Sequence, residues 1–307
     1  MINLYRSLYL IRTVEERIAE VYPTDKVKSP VHLSIGQEFV SVGVCAHLKP
    51  EDVVFGYYRS HAMYLAKGGS LRAMIAELYG KSTGCCRGKG GSMHLSDVSH
   101  GIVGISAVVG TQIPEAAGYA YAQKLKNSGN ITVCFLGDGA TEEGVFYETL
   151  NWAVLKSIPL LLVCENNGYA INTSLHSRQA FPILNRVNGF GMDTGVVRNG
   201  CVRTLHTEVK QIVENIRTEG KPFFLEVACS RWKQHVGPNE DFRLGFRPES
   251  EVTEWQAKDQ LIVLEELLGN QAEPIRKIVD QEIEDAFLFA ENSKSPDRRE
   301  VATDVYR

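Results

Sequence analysis

Two side chains frame the chemistry. Asp138 sits inside a Gly137-Asp138-Gly139 turn, and Asn167 follows 29 positions later in an Asn166-Asn167-Gly168 turn. A carboxylate and a carboxamide are hard oxygen donors, and the Tyr169 carbonyl offers a third. That set suits Mg²⁺, which takes six oxygens and is commonly shared between a protein and a phosphorylated ligand. Gly137 and Gly139 let the backbone approach such a ligand closely. The donor set implies a diphosphate held through a divalent metal.

The intervening residues explain how these groups would meet. Ile131 to Leu136 is a short, apolar, β-branched run and reads as a buried strand. Thr141 to Lys156 has helical spacing, with Val145, Phe146, Leu150, Ala153 and Val154 on one side, and Pro159 bars its continuation. Leu160 to Cys164 reads as a second strand. Strand, helix and strand make a βαβ unit with parallel pairing. Both turns then lie at one sheet edge, where ligands of such sheets bind. A helix starting just after Gly139 would also aim free N–H groups at that place. The expected fold class is α/β, a mostly parallel sheet flanked by helices.

GDG, twenty-six residues and then NN resembles the thiamine-diphosphate motif. An ordinary βαβ unit with a tight turn is the plain alternative. A nicotinamide fingerprint fails, because its third glycine would fall at Glu142. The neighbouring text is similar to alpha subunits of 2-oxo acid dehydrogenases, from His32 through the EIEDAFLFA segment at 282 to 290. The resemblance implies the diphosphate-domain fold, thiamine diphosphate with Mg²⁺, and metal ligation by Asp138, Asn167 and Tyr169. Gly139 and Ala140 would lie against the cofactor.

Other segments add candidates. Val53 to Tyr57 reads as a strand that delivers Tyr58-Arg59-Ser60-His61. Arg59 suits a diphosphate oxygen through its fork of donors. His61 is a candidate proton carrier, since it changes charge near neutrality. The family's HLxxGQE and YRxH segments are matched here, which implies that His32 faces substrate and that Tyr58 and Arg59 contact the diphosphate. His235 matches the histidine that approaches cofactor and reacting centre. The family's aminopyrimidine-contacting segment precedes a QxPxxxG helix start, so Ala107-Val108-Val109-Gly110 is its equivalent, with Ala107 and Val109 at the cofactor, and the earlier Gly101-Ile102-Val103-Gly104 is a decoy. Val236 stands where mitochondrial relatives carry a phosphorylatable serine, which excludes kinase control at that position. Lys89, in the Gly-rich GKGGSMH loop, receives no catalytic role. The stretch after Tyr169 is polar and poorly periodic, and is expected to be partly mobile until cofactor binds.

Composition sets the outer limits. The chain has 307 residues, 44% of them apolar and 23% charged, with net charge −4 and no long basic run. Nucleic acid is an unsuited partner. No apolar stretch nears the length of a membrane span. Seven cysteines without a CxxC pair read as reduced thiols, in keeping with a cytoplasmic protein. Residues 1–307 are expected to form one cofactor-binding domain. An amphipathic helix at 3–22 opens it, two helices at 251–268 and 271–291 close it, and a loose tail follows from Ser293. An apolar stripe of Ile275, Ile278, Val279, Ile283, Ala286 and Phe287 marks the last helix as core.

The chain has strands for one such domain and no second unit carrying the glutamate that activates the aminopyrimidine. The activating carboxylate is therefore expected on another polypeptide. The resemblance names it as a beta subunit in an α2β2 heterotetramer, with a lipoyl acyltransferase as a further partner. The expected activity is decarboxylation of a pyruvate-like 2-oxo acid with acyl transfer to lipoamide. Two alternatives stay open: a carboligase or decarboxylase that hands the two-carbon unit to an aldehyde, ketone or sugar, and a non-catalytic binding subunit.

Overall fold

The computed structural model describes residues 1–303. Its centre is a six-stranded sheet built from β1 (Val53–Tyr57), β2 (Ile102–Ser106), β3 (Thr132–Gly137), β4 (Leu160–Asn166), β7 (Asp193–Val197) and β8 (Phe223–Ala228). The order is β2-β1-β3-β4-β8-β7, and every pairing is parallel. A separate hairpin joins β5 (Tyr169–Ala170) to β6 (Thr173–Ser174). The expected α/β class is what the structure contains.

Both faces of the sheet are covered, so its strands are apolar on both sides. Val133 and Phe135 of β3 face one core, whereas Cys134 and Leu136 face the other. The first core is closed by α1 (Ile2–Val21), α2 (Glu38–Cys45), α3 (His61–Ala66), α4 (Leu71–Leu78), α9 (Val202–Glu219), α11 (Gln260–Leu268) and α12 (Ala272–Asn292). The second is closed by α5 (Gln112–Leu125), α6 (Gly144–Lys156) and α8 (Ile183–Gly189), with α7 (Leu175–Arg178) beside it.

Several expectations change. The helix after Gly139 does not begin there: residues Asp138–Glu142 form a 3₁₀ turn, Glu143 is extended, and α6 starts at Gly144. The Thr141 hydroxyl donates to the Asp138 carbonyl at 2.7 Å and closes the tighter turn. The N-cap of α6, Glu143, still lines the same cavity as Asp138. The polar stretch after Tyr169 holds the hairpin, α7 and α8. The expected helix at 251–268 is two helices, α10 (Glu249–Gln256) and α11, with Asp259 capping the second. On α12 Ile278 is 58% exposed, and the buried stripe runs through Ala272, Val279, Ile283, Ala286, Phe287 and Ala290 instead. The tail is tied down as far as it is described: the Ser82 N–H donates to the Lys294 carbonyl, and Lys89 donates to the Thr303 carbonyl.

The GKGGSMH loop is organised by one carboxylate. Buried Glu77 accepts from the N–H groups of Cys86, Gly88, Gly90 and Gly91 at 2.7–3.1 Å. The loop then delivers Ser92 to His61. With its oxygens so occupied, Glu77 has little left for a metal, although Cys85 and Cys86 lie close. Charge-assisted hydrogen bonds of this kind are among the stronger ones. Glu77→Ala is therefore expected to cost roughly 3 kcal/mol or more, read as a lower urea midpoint; an unchanged midpoint would show the loop to be held by other contacts.

Candidate functional site

Strand register explains why distant residues meet. Gly137 of β3 pairs with Glu165 of β4, so Asp138 and Asn167 both follow directly on neighbouring strand ends. With β1 on the other side, the three strand ends open into one cavity of about 260 Å³. Its wall includes Tyr58, Arg59, Val109, Asp138, Gly139, Ala140, Asn167, Tyr169 and His235. Ala107 precedes that wall and is half-buried just after β2, outside the lining.

The three histidines separate. His235 lines the cavity. His32 is buried behind it, its ring centroid 4.4 Å from Tyr58 and 5.0 Å from His235, with no partner for Nδ1 among the described residues. His61 is fully buried away from the lining: Nδ1 is 3.1 Å from Glu15 Oε1 and Nε2 is 2.7 Å from Ser92 Oγ. With both ring nitrogens engaged, His61 is placed as a strut rather than as a group presented to a ligand. Glu15 also accepts from the Ser34 N–H at 2.7 Å. The first helix thus braces the His32 loop and the His61 turn together. Gly36, at φ +94°, is needed in that loop, since a Cβ there would lie 2.3 Å from the Ser230 carbonyl oxygen.

Arg59 is 3% exposed and aimed by its own bonds. One nitrogen donates to the Leu33 carbonyl at 2.8 Å, and another reaches the His235 carbonyl at 3.3 Å. The His235 loop is fixed from below by Asp241, which receives Arg231 at 2.7 Å and Arg247 at 2.8 Å. Arg231 also donates to the Ile171 carbonyl at 2.7 Å, which ties the hairpin to the same anchor. Gly139 leaves room for that hairpin, because a Cβ there would come within 3.0 Å of Ala170 Cβ.

Asn167 is oriented from behind. Its Nδ2 donates to Gln37 Oε1 at 2.9 Å, and its Oδ1 accepts from the Tyr169 N–H at 3.1 Å. Gln37 Nε2 reaches the Tyr57 hydroxyl at 3.4 Å, and that hydroxyl acts in turn on the buried Glu165 carboxyl. Burial pushes Glu165 up to about 7, with the Tyr57 hydroxyl pulling the other way. The chain of contacts places the Asn167 oxygen on the side away from Gln37.

Sequence reading missed Gln37, Gln112, Glu142 and Arg178. Gln37 was in view as part of GQE, but only the fold puts it behind Asn167. Gln112 lines the cavity, and its Oε1 has no partner among the described residues. Arg178 makes the closest charged contact of Asp138: Nη2 stands 2.5 Å from Asp138 Oδ2, and Nη1 pairs with Glu142.

The donor set fits a divalent cation. Asp138, Asn167 and Glu142 supply hard oxygens, and the positive charge that a buried carboxylate needs is present as the Arg178 guanidinium. Arg59, facing the same space, suits the negative end of a phosphorylated ligand. Fold and site therefore define a parallel α/β protein with a cavity at its strand ends that brings hard oxygen donors and arginine side chains together.

Comparison with known proteins gives the family. Residues 6–299 match the dehydrogenase E1 component. The alpha subunit of acetoin:2,6-dichlorophenolindophenol oxidoreductase from Bacillus subtilis is 34% identical, over 99% of this chain and 92% of its own. The pyruvate dehydrogenase E1 component subunit alpha of Rickettsia bellii is 33% identical over 99% and 95%. The chloroplastic subunit alpha-3 of the same component from Arabidopsis thaliana is 35% identical over 99% and 74%. The chain belongs to the dehydrogenase E1 component family and is an enzyme subunit of the 2-oxo acid dehydrogenase alpha type. Among the described residues no helix is long and apolar enough to cross a membrane.

The histidines carry a pH signature. Burial first, then the Arg59 charge, holds both His32 and His235 down at about 3. An unfolded histidine titrates near 6.5, so on acidification the unfolded chain takes up these protons first. Stability is thus full above about 6.5 and falls as pH drops toward 3. The ring resonances that vanish in His32→Gln and His235→Gln should remain those of neutral imidazole at pH 5; titration near 6.5 would contradict the burial argument.

Proposed function

We propose that this chain binds thiamine diphosphate through Mg²⁺ and, with a beta subunit, decarboxylates a pyruvate-like 2-oxo acid and passes the acyl unit to lipoamide. The observation that carries the reading is the single cavity shared by Asp138, Asn167, Tyr169, Arg59 and His235. Asp138, the Asn167 oxygen and the Tyr169 carbonyl hold the metal. Tyr58, Arg59 and His235 bind the diphosphate side, Gly139 and Ala140 pack against it, and backbone near Ala107 and Val109 meets the aminopyrimidine. When bound, thiamine diphosphate supplies a nucleophilic carbon that adds to a carbonyl and accepts the electron pair left by bond cleavage.

The protein's own part is placement and exclusion of water. Gln37 keeps the Asn167 oxygen turned to the metal. Neutral His235 offers a hydrogen bond to substrate without adding charge, and neutral His32 packs behind its ring. His61, locked between Glu15 and Ser92, keeps the Tyr58-Arg59 turn in place and acts on protons only if Ser92 releases it. The carboxylate that activates the aminopyrimidine comes from the beta subunit. The exposed Val108, Val109 and Ile171 support a partner surface at the cavity mouth. An α2β2 assembly, a lipoyl acyltransferase partner and a cytoplasmic setting complete the reading.

A second reading has its own support, because relatives from Bacillus subtilis and Cupriavidus necator are named for acetoin oxidation. There the carbonyl neighbour is a hydroxyl-bearing carbon rather than a carboxylate. Assays of the α/β complex with an artificial electron acceptor separate the two: CO₂ release from a 2-oxo acid supports the first reading, and aldehyde release from a hydroxyketone supports the second. Asp138→Ala should weaken thiamine diphosphate binding in Mg²⁺ by more than about 100-fold, the upper end of what losing an outer-shell partner costs. Unchanged affinity by calorimetry would refute the metal assignment.

A further inference from the structure

Asp138 already holds one positive partner, through Oδ2, at the place where a cation would have to bind. Its side chain is 1% exposed, and the Arg178 side chain that meets it at 2.5 Å is 9% exposed. The same guanidinium pairs with Glu142 through its other terminal nitrogen. A divalent cation coordinated by Asp138 would sit about 2 Å from a carboxylate oxygen. Two positive groups would then crowd one carboxylate in a buried place, where repulsion is poorly screened.

Arg178 is also the tip of a larger attachment. Gln179 Nε2 donates to Thr141 Oγ1 at 3.0 Å and to Glu142 Oε1 at 2.8 Å. Arg178 Nε donates to the Thr173 carbonyl at 3.1 Å, within the hairpin. Arg186 bonds Gln179 and reaches Tyr147 at 2.5 Å. Residues 173–186 are thereby fastened onto the Asp138–Glu142 turn, and the Arg178 pair is their charged contact with the metal-binding carboxylate.

We infer that Arg178 is the resident counter-ion of Asp138 and sets the affinity of the site for its divalent cation by competing for that carboxylate. The inference rests on the metal reading above and extends it to a residue outside the ligand set. Cation entry displaces the guanidinium and loosens residues 173–186, so metal loading and the docking of this segment are linked. A site held by the arginine nine-tenths of the time binds its ion about tenfold more weakly than a free one.

The test is Mn²⁺ binding to the α/β complex without thiamine diphosphate, by calorimetry and by electron paramagnetic resonance of free Mn²⁺. Arg178→Gln should bind Mn²⁺ about tenfold more tightly than wild type, with Arg178→Lys between them and retaining a charge should the glutamine variant fold poorly. Hydrogen exchange gives the second readout: Mn²⁺ should speed exchange at residues 173–186 in wild type, whereas in Arg178→Gln these amides should exchange fast from the start. Asp138→Ala separates the two layers of the argument. If it keeps wild-type affinity, the metal reading fails and this inference with it. If it loses binding while Arg178→Gln binds equally or more weakly than wild type, the arginine positions the ligand and this inference alone fails.

Discussion

A carboxylate buried at the end of a central strand cannot stand alone. Removing an ionised group from water is costly unless a positive partner or several donors replace the lost hydration. Asp138 imposes this condition on everything around it. The three parallel strand ends create the recess, and the segment after Tyr169 folds back to bring Arg178 into it. A stretch with little periodicity of its own thus takes a defined shape, held by Arg178 together with the Arg231 bond to Ile171 and the buried Ile183 and Val187.

A second polar layer lies under the first. Asn167, Gln37, Tyr57 and Glu165 form a line of contacts that runs from the cavity wall into the sheet. Glu165 occupies a fully buried position of β4, next to apolar neighbours. A leucine there would give a simpler core. The polar group instead fixes a direction, because each amide in the line has one orientation that satisfies its neighbours. On the far side, Glu15 does the same for Ser34 and His61. The cavity is therefore lined by residues whose rotamers are set from behind.

Much of this was legible before any coordinates. The strands at 53–57, 132–137, 160–166 and 223–228 follow from short apolar runs between breakers, and strand order brings Asp138 and Asn167 to one edge. What escaped reading shares a physical character. The 3₁₀ turn after Asp138 depends on a side chain-to-backbone bond from Thr141, which no periodicity reveals. Arg178 and Gln37 matter only through partners 40 and 130 positions away, so local pattern gave no reason to choose them. His61 read as a candidate proton carrier, and its two partners, which lie in other elements, could not be read from local pattern. The first helix read as merely amphipathic, yet its Glu15 is wholly buried among polar partners.

The Asp241 anchor has a further bearing on how such a subunit diversifies. Arg231, Asp241 and Arg247 are buried, while residues 243–246 between the last two are exposed, with Leu244 at 61% and Phe246 at 48%. The loop is pinned at its base and open at its crown. Changes in the crown can accumulate without disturbing the histidine held by the base. A side-chain change at Leu244 or Phe246 leaves the Arg231–Asp241–Arg247 contacts intact, and with them the loop that carries His235.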